Sequence, residues 1–290
     1  TKEFLMSMFD QFLEVETEEA SSTVALVLPS GEYQAMIKDI TDRKQQEAYL
    51  KKLKMPQAAK TYESLAREAA DNNLDYEEYL LCVLEQEVHQ RENNRIQRGI
   101  RQAGFPVIKT LESFDFLAIP SLNKPRVLKL MQGEYIRRRE NVLLIGNSGV
   151  GKTHIATALG YEACRQGMRV KFYTAAGLIN ELLAAQQEYR LNKLEKQWLA
   201  PHLIILDELG YVPFSKVGAE LLFQFCSSRY ERGSLIITTN LEFPKWTEVL
   251  GDEQMTAALL DRLTHNAHIL NINGESYRFK QALSKQVDVG

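Results

Sequence analysis

Glycine is absent between Glu32 and Gly99. A stretch that long without the residue best suited to left-handed turns fits a small helical bundle. Long apolar runs are missing too. Strongly apolar runs such as Val142–Ile145 and Leu203–Leu206 fall far short of the roughly 20 residues that span a bilayer as a helix. The first residues do not join a basic start to an apolar stretch and a small-residue cleavage site. Cysteine is scarce: Cys82, Cys164 and Cys226 are odd in number, widely spaced and set among apolar neighbours. That pattern excludes a disulfide framework, and all three are expected as reduced core residues of a cytoplasmic protein with no membrane partner.

What the chain does contain is ordinary for a globular protein, with 44% hydrophobic and 25% charged residues. A length of 290 residues accommodates one large domain and one smaller one. The net charge of −3 conceals an asymmetry. Residues 1–35 hold one lysine against seven acids, a local charge of −6, which leaves +3 on the other 255 residues. Overall charge therefore neither demands nor excludes a nucleic-acid partner, and local clusters must decide.

The chain divides by composition. Residues 1–35 carry a short amphipathic pattern (Phe4, Leu5, Met8, Phe9, Phe12, Leu13), then an acidic stretch, then Pro29, Ser30 and Gly31. They are expected to be an appended or disordered tail, with the native start near Met36. Residues 36–104 read as a helical N-terminal domain that binds DNA or a partner. Asp42 and Asp75 are candidate helix caps; Tyr62, Leu65, Ala66 and Ala69 mark one inward face, and Tyr79, Leu80, Val83 and Leu84 another. Gly104, Phe105 and Pro106 break the pattern.

Residues 105–290 alternate strand and helix. Strands are expected at Asn141–Ile145, Arg169–Thr174, Leu203–Leu206 and Leu235–Thr239, and helices at Thr153–Gln166, from Ala176 and around Ala219–Tyr230. Short apolar strands spaced by amphipathic helices predict an α/β fold, a parallel sheet flanked by helices on both faces.

The strongest signal is Gly146-Asn147-Ser148-Gly149-Val150-Gly151-Lys152-Thr153, a full P-loop pattern between an apolar strand and a helix. The glycines let backbone N–H groups converge on phosphate oxygens, and the helix N-terminus adds partial positive charge. Lys152 reaches the β- and γ-phosphates, and the Thr153 hydroxyl can ligate Mg²⁺. Fifty-five residues beyond Lys152, an apolar strand ends in Asp207-Glu208. Asp207 is expected to hold Mg²⁺ through water, and Glu208 to act as general base on the attacking water.

No Asn-Lys-x-Asp base reader of GTPases and no Leu-Ser-Gly-Gly-Gln signature of ABC ATPases is present. Instead the strand ending at Thr239 is followed by Asn240, a polar tip able to orient the lytic water. Arg91, Arg95, Arg98 and Arg101 fall at spacings that line one helical face; Arg137, Arg138 and Arg139 form a second cluster, and Lys51, Lys52 and Lys54 a third. Such clusters can neutralise DNA phosphates without reading sequence, or remain a solvated face balanced by Glu85, Glu87 and Glu92. His265 and His268 lack the accompanying ligands of a metal site.

Leu206-Asp207-Glu208-Leu209-Gly210-Tyr211, Arg229-Tyr230-Glu231, Thr239-Asn240, Leu260-Asp261-Arg262-Leu263 and Gly274-Glu275-Ser276-Tyr277-Arg278 together resemble the IstB-like transposition helper ATPases, over about residues 36–282. More distantly they resemble DnaC-type helicase loaders. The resemblance implies a P-loop AAA+ ATPase core using ATP and Mg²⁺. It makes Arg262 the arginine finger acting in trans and Arg278 the second sensor arginine; Arg229 and Arg232 stay open as competing finger candidates. It further implies a homo-oligomer, ring or helical, that assembles on double-stranded DNA and recruits the transposase of the same element for target-site selection. A replicative helicase loader, a nucleotide-dependent scaffold with negligible hydrolysis and, more weakly, a small-molecule P-loop kinase stay open as alternatives.

Overall fold

The computed structural model describes residues 43–277 and 279. The chain separates into two compact units, residues 1–87 and 88–290, with the division falling inside one long helix.

In the first unit, residues 43–52 are helical, followed by helix α1 (Pro56–Asp71) and the first turns of α2 (Tyr76–Ala103). Pro56 opens α1, where its missing N–H costs nothing and its fixed φ already suits the helix. Further orphan donors of that helix end are satisfied from α2. The buried Glu87 carboxylate accepts the N–H of Gln57 at 2.8 Å and of Ala58 at 3.0 Å. Asp75 caps α2 as its spacing suggests, and the cap is reciprocal. Asp75 Oδ1 accepts the Glu78 N–H, while Glu78 Oε2 accepts the Asp75 N–H. The expected inward face of α2 is only partly inward. Val83 is buried, but Leu80 and Leu84 are 55% and 42% exposed, because α1 covers a narrower strip than the apolar pattern spans. Cys82 is likewise only partly buried, a correction to its reading as core. Asp42 and the tail at 1–35 lie outside the described residues.

The second unit is built on a five-stranded parallel sheet: β1 (Asn141–Ile145), β2 (Val170–Thr174), β3 (Leu203–Leu209), β4 (Ser234–Thr239) and β5 (Ala267–Asn271). The order across the sheet is β2-β3-β4-β1-β5. Interposed helices are α3 (Lys124–Leu130), α4 (Glu134–Arg137), α5 (Lys152–Arg165), α6 (Ala175–Gln187), α7 (Leu191–Leu199), α8 (Lys216–Arg229), α9 (Trp246–Leu250) and α10 (Glu253–Thr264).

Alternation along the strands sorts the core into two layers. Val142, Leu144, Leu203, Ile205 and Ile236 pack on the α5 face with Ile155 and Leu159. Ile204, Leu206, Leu235 and Ile237 pack on the opposite face with Leu178, Leu222, Phe225 and Leu259. Strands apolar on both sides are what a doubly covered parallel sheet requires.

Two differences from expectation bear on the site. β3 runs on to Leu209 through a register shift after Leu206, and β5 adds an edge beside β1. Cys164 and Cys226 are free and buried, and burial pushes their thiols up to about 11 and about 12, so both stay protonated. Among the described residues, no helix is long and apolar enough to cross a membrane.

Candidate nucleotide site

All the strands point the same way, so the loops that follow β1, β3 and β4 share the carboxyl edge of the sheet. The P-loop leaves β1 at Ile145 and enters α5 at Lys152. Gly149 and Gly151 hold φ of +80° and +89°, conformations a side chain resists. At the same positions other segments press on the loop. A Cβ on Gly151 would meet the Phe114 ring at 2.7 Å, and one on Gly149 would meet Ser276. Lys152 Nζ donates to the carbonyls of Gly146 and Asn147, both at 2.7 Å, which holds the ammonium inside the loop's curve.

The two acids behave differently. Asp207 is 4% exposed, and its Oδ1 accepts the Thr153 hydroxyl at 3.0 Å and the Thr238 hydroxyl at 2.5 Å. Glu208 is exposed and sits at φ +61°, with its backbone N–H donated to Thr238 Oγ1. Lys152, Thr153, Glu208 and Asn240 line one cleft of about 280 Å³ together with Ser148, Gly149, Val150 and Gly151.

The same cleft has walls that the motif does not specify. Lys109, Phe114, Ile119, His154 and Tyr277 line it beyond the P-loop. His154 Nε2 lies 2.8 Å from the Thr110 carbonyl, and its ring meets Phe114 edge-on at 5.1 Å. Burial holds the His154 imidazole below its usual pKa, with nearby Lys109 adding to the shift and the Thr110 bond opposing it. The Tyr277 N–H donates to the Gly149 carbonyl at 3.1 Å, tying the chain after β5 to the P-loop. Apart from Tyr277, which lies in the Gly274–Arg278 motif, nothing in the sequence pattern separates these residues from ordinary packing. The Gly104–Pro106 break before the Phe114 segment is the nearest signal.

Residues 48–285 match the family model described as IstB-like ATP binding protein. The chain belongs to the IstB-like ATP-binding protein family. One IstB-like relative, the insertion sequence IS21 putative ATP-binding protein of Pseudomonas aeruginosa, is 42% identical over 235 residues, covering 81% of this chain and 89% of its own. Another, the insertion sequence IS5376 putative ATP-binding protein of Geobacillus stearothermophilus, is 38% identical over 233 residues, covering 80% and 93%. Among solved structures, the DnaC helicase loader aligns with 51% of this chain and 89% of its own at 23% identity, with a TM-score of 0.43. The P-loop, the acids at the end of β3, the polar tip of β4 and the strand order together make the second unit of this IstB-like chain a P-loop AAA+ core.

The arginines do not all gather at the nucleotide cleft. Arg262, on α10, donates to the Ala258 carbonyl at 2.9 Å and stacks over Phe223 at 4.9 Å. It lines a separate small cleft with Asn141, at the start of β1 rather than its end. Arg229, a competing finger in the sequence reading, is corrected outright. It is 1% exposed and donates to the carbonyls of Trp198, Pro201, His202 and Ser234, so it has no route to a neighbour. Arg278 lies outside the described side chains.

Arg91, Arg95, Arg98 and Arg101 are exposed on the later turns of α2; Arg95 pairs with Glu92 at 2.6 Å, and Arg98 donates to the Asn94 carbonyl. Arg137, Arg138 and Arg139 are exposed as well. Arg137 pairs with Glu134 at 2.6 Å, Arg138 lies 3.9 Å from the same carboxylate, and Arg139 donates to the Glu231 carbonyl.

Proposed function

We propose that this protein is an ATPase that hydrolyses ATP to ADP and phosphate, assembles as a homo-oligomer on double-stranded DNA, and recruits and activates the transposase of its insertion sequence. The observation that carries the ATPase reading is the convergence of Lys152, Thr153, Glu208 and Asn240 on one cleft, backed by the buried Asp207. The insertion-sequence relatives support the transposition context, and the arginine face on α2 supports DNA contact.

ATP lies with its phosphates in the P-loop, where backbone N–H groups, the α5 N-terminus and Lys152 offset their charge. The Thr153 hydroxyl and Asp207 carboxylate, hard oxygen donors 3.0 Å apart, suit Mg²⁺. When bound, that ion neutralises charge on the β- and γ-phosphates. Glu208 accepts a proton from the attacking water, and Asn240 orients that water. Arg262 of a neighbouring subunit and Arg278 of the same one stabilise charge spreading over the γ-phosphoryl oxygens. Residues 36–104 act as the DNA- and partner-binding domain and residues 105–290 as the ATPase.

The test is steady-state ATP turnover of the parent and of Glu208→Gln, each with and without duplex DNA. The expected result is turnover stimulated by duplex in the parent and nucleotide binding without turnover in Glu208→Gln. A parent that binds ATP but never hydrolyses it, with or without DNA, overturns the ATPase reading and leaves a nucleotide-dependent scaffold.

A further inference from the structure

Thr238, one residue short of the end of β4, is 1% exposed, and its single hydroxyl is used twice. It donates its proton to Asp207 Oδ1 and accepts the backbone N–H of Glu208 at 2.9 Å. Around that hydroxyl the β3–β4 ladder is interrupted. Leu206 pairs with Ile237, pairing resumes with Leu209 opposite Thr239, and Glu208 between them adopts φ +61°.

A non-glycine residue stays in the left-handed region only when its surroundings hold it there. An N–H turned out of a ladder also needs another acceptor. The Thr238 hydroxyl meets both needs. The backbone turn it secures separates the two acids, leaving Asp207 buried against Thr153 and Glu208 exposed in the cleft.

We infer that Thr238 is a positioning residue for hydrolysis, whose hydroxyl locks the Asp207–Glu208 turn so that the Glu208 carboxylate faces the attacking water. This rests on the reading of Glu208 as the base. Thr238 borders the same cleft, and its hydroxyl is taken up by Asp207 and the Glu208 N–H. Valine at 238 keeps the branched shape and loses both hydrogen bonds, whereas serine keeps both.

The experiment uses the full chain with ATP, Mg²⁺ and duplex DNA, comparing Thr238→Val, Thr238→Ser, Glu208→Gln and the Thr238→Val/Glu208→Gln double variant. Nucleotide affinity is read with a fluorescent ATP analogue and kcat by phosphate release. Thr238→Val is expected to lower kcat by about ten- to a hundredfold, the scale of an ångström-level misplacement of a catalytic group, with affinity held within about threefold. Thr238→Ser is expected to recover most of the rate. In the Glu208→Gln background, which has no turnover to lose, Thr238→Val is expected to leave nucleotide affinity within about threefold, because the hydroxyl acts on the hydrolytic step and not on binding.

A normal rate in Thr238→Val beside an inactive Glu208→Gln overturns the positioning role alone. A serine variant as slow as valine, or a loss of nucleotide affinity beyond about threefold when Thr238→Val is added to Glu208→Gln, also overturns it. A normal rate in Glu208→Gln overturns the base assignment and this inference with it. If Thr238→Val melts too low to assay, Thr238→Ala removes the same two bonds in a smaller side chain and is read against the same outcomes.

Discussion

Replacing Arg229 by methionine tests what its buried guanidinium does. Methionine fills much of the same volume but donates nothing. The carbonyls of Trp198, Pro201, His202 and Ser234 would then lose a charged donor, although His202 O keeps the Ser234 N–H. A hydrogen bond to a charged group contributes about 1.5–3 kcal/mol. Two of the four are long, at 3.3 and 3.4 Å, and contribute toward the low end or below it. The guanidinium meanwhile bears a desolvation cost, seen in a pKa that burial lowers to about 10, and methionine does not. The balance is a destabilisation of about 3–5 kcal/mol, set by the two shorter hydrogen bonds to a charged donor that are lost, less the relieved desolvation. At about 2–4 °C per kcal/mol for a domain of this size, the melting temperature should fall by roughly 6–20 °C. Thermal unfolding followed by circular dichroism, without nucleotide, measures it. ATP turnover assayed well below the melting temperature should stay within a few-fold of the parent. A melting temperature within about 2 °C of the parent would refute the stability argument. A folded variant that has lost turnover would return Arg229 to the list of fingers.

Reversing Arg91, Arg95 and Arg98 to Glu should weaken duplex binding about equally across sequences and flatten its dependence on salt; an unchanged salt slope would move the DNA surface, with Arg137–Arg139 next to be tried. Arg262→Ala and Lys152→Ala proteins should each be inactive, and mixing them should restore turnover at interfaces that pair an intact P-loop with an intact finger. A finger acting in trans contributes roughly 10³–10⁵ in rate in related systems, so the recovery is easily read; co-assembly on DNA without recovery rejects Arg262. His154 has a folded-state pKa below its unfolded value, so the unfolded chain takes up the proton first as pH falls. Its effect on stability is level above about pH 6.5 and turns unfavourable below it. His154→Gln, which can still donate to the Thr110 carbonyl, should therefore lose less melting temperature than the parent between pH 7 and pH 5. Equal losses would refute this.

The parallel sheet was legible because β1, β3 and β4 are apolar on both faces, a pattern that needs no long-range information. The P-loop and the paired acids were legible because their function dictates residue type at fixed spacing. The extension of β3 to Leu209 was not, since the turn at Glu208 depends on a hydroxyl thirty residues away in the chain. β5 was hidden for a related reason: Ala267–Asn271 is short and carries His268 and Asn271, and only pairing with β1 makes it a strand. The Glu87 cap on α1 and the carbonyl cage of Arg229 are contacts between distant segments. A charged residue that ends up inside such a cage looks, in sequence, like any surface charge. Leu80 and Leu84 fail the other way, because periodicity marks an apolar face without saying how much of it a neighbour will cover.

The glycines of the P-loop have a mechanical consequence. Gly146 is pressed by the Ile272 carbonyl, Gly149 by Ser276 and Gly151 by Phe114, at distances a side chain would not permit. Three stretches of chain far apart in sequence are thereby seated in one another like the leaves of a hinge. The loop has no slack of its own. A displacement of its backbone by incoming phosphates would press on the Phe114 segment and on the segment after β5. The two segments that would feel such a displacement first are therefore the one around Phe114 and the one from Ile272 to Ser276.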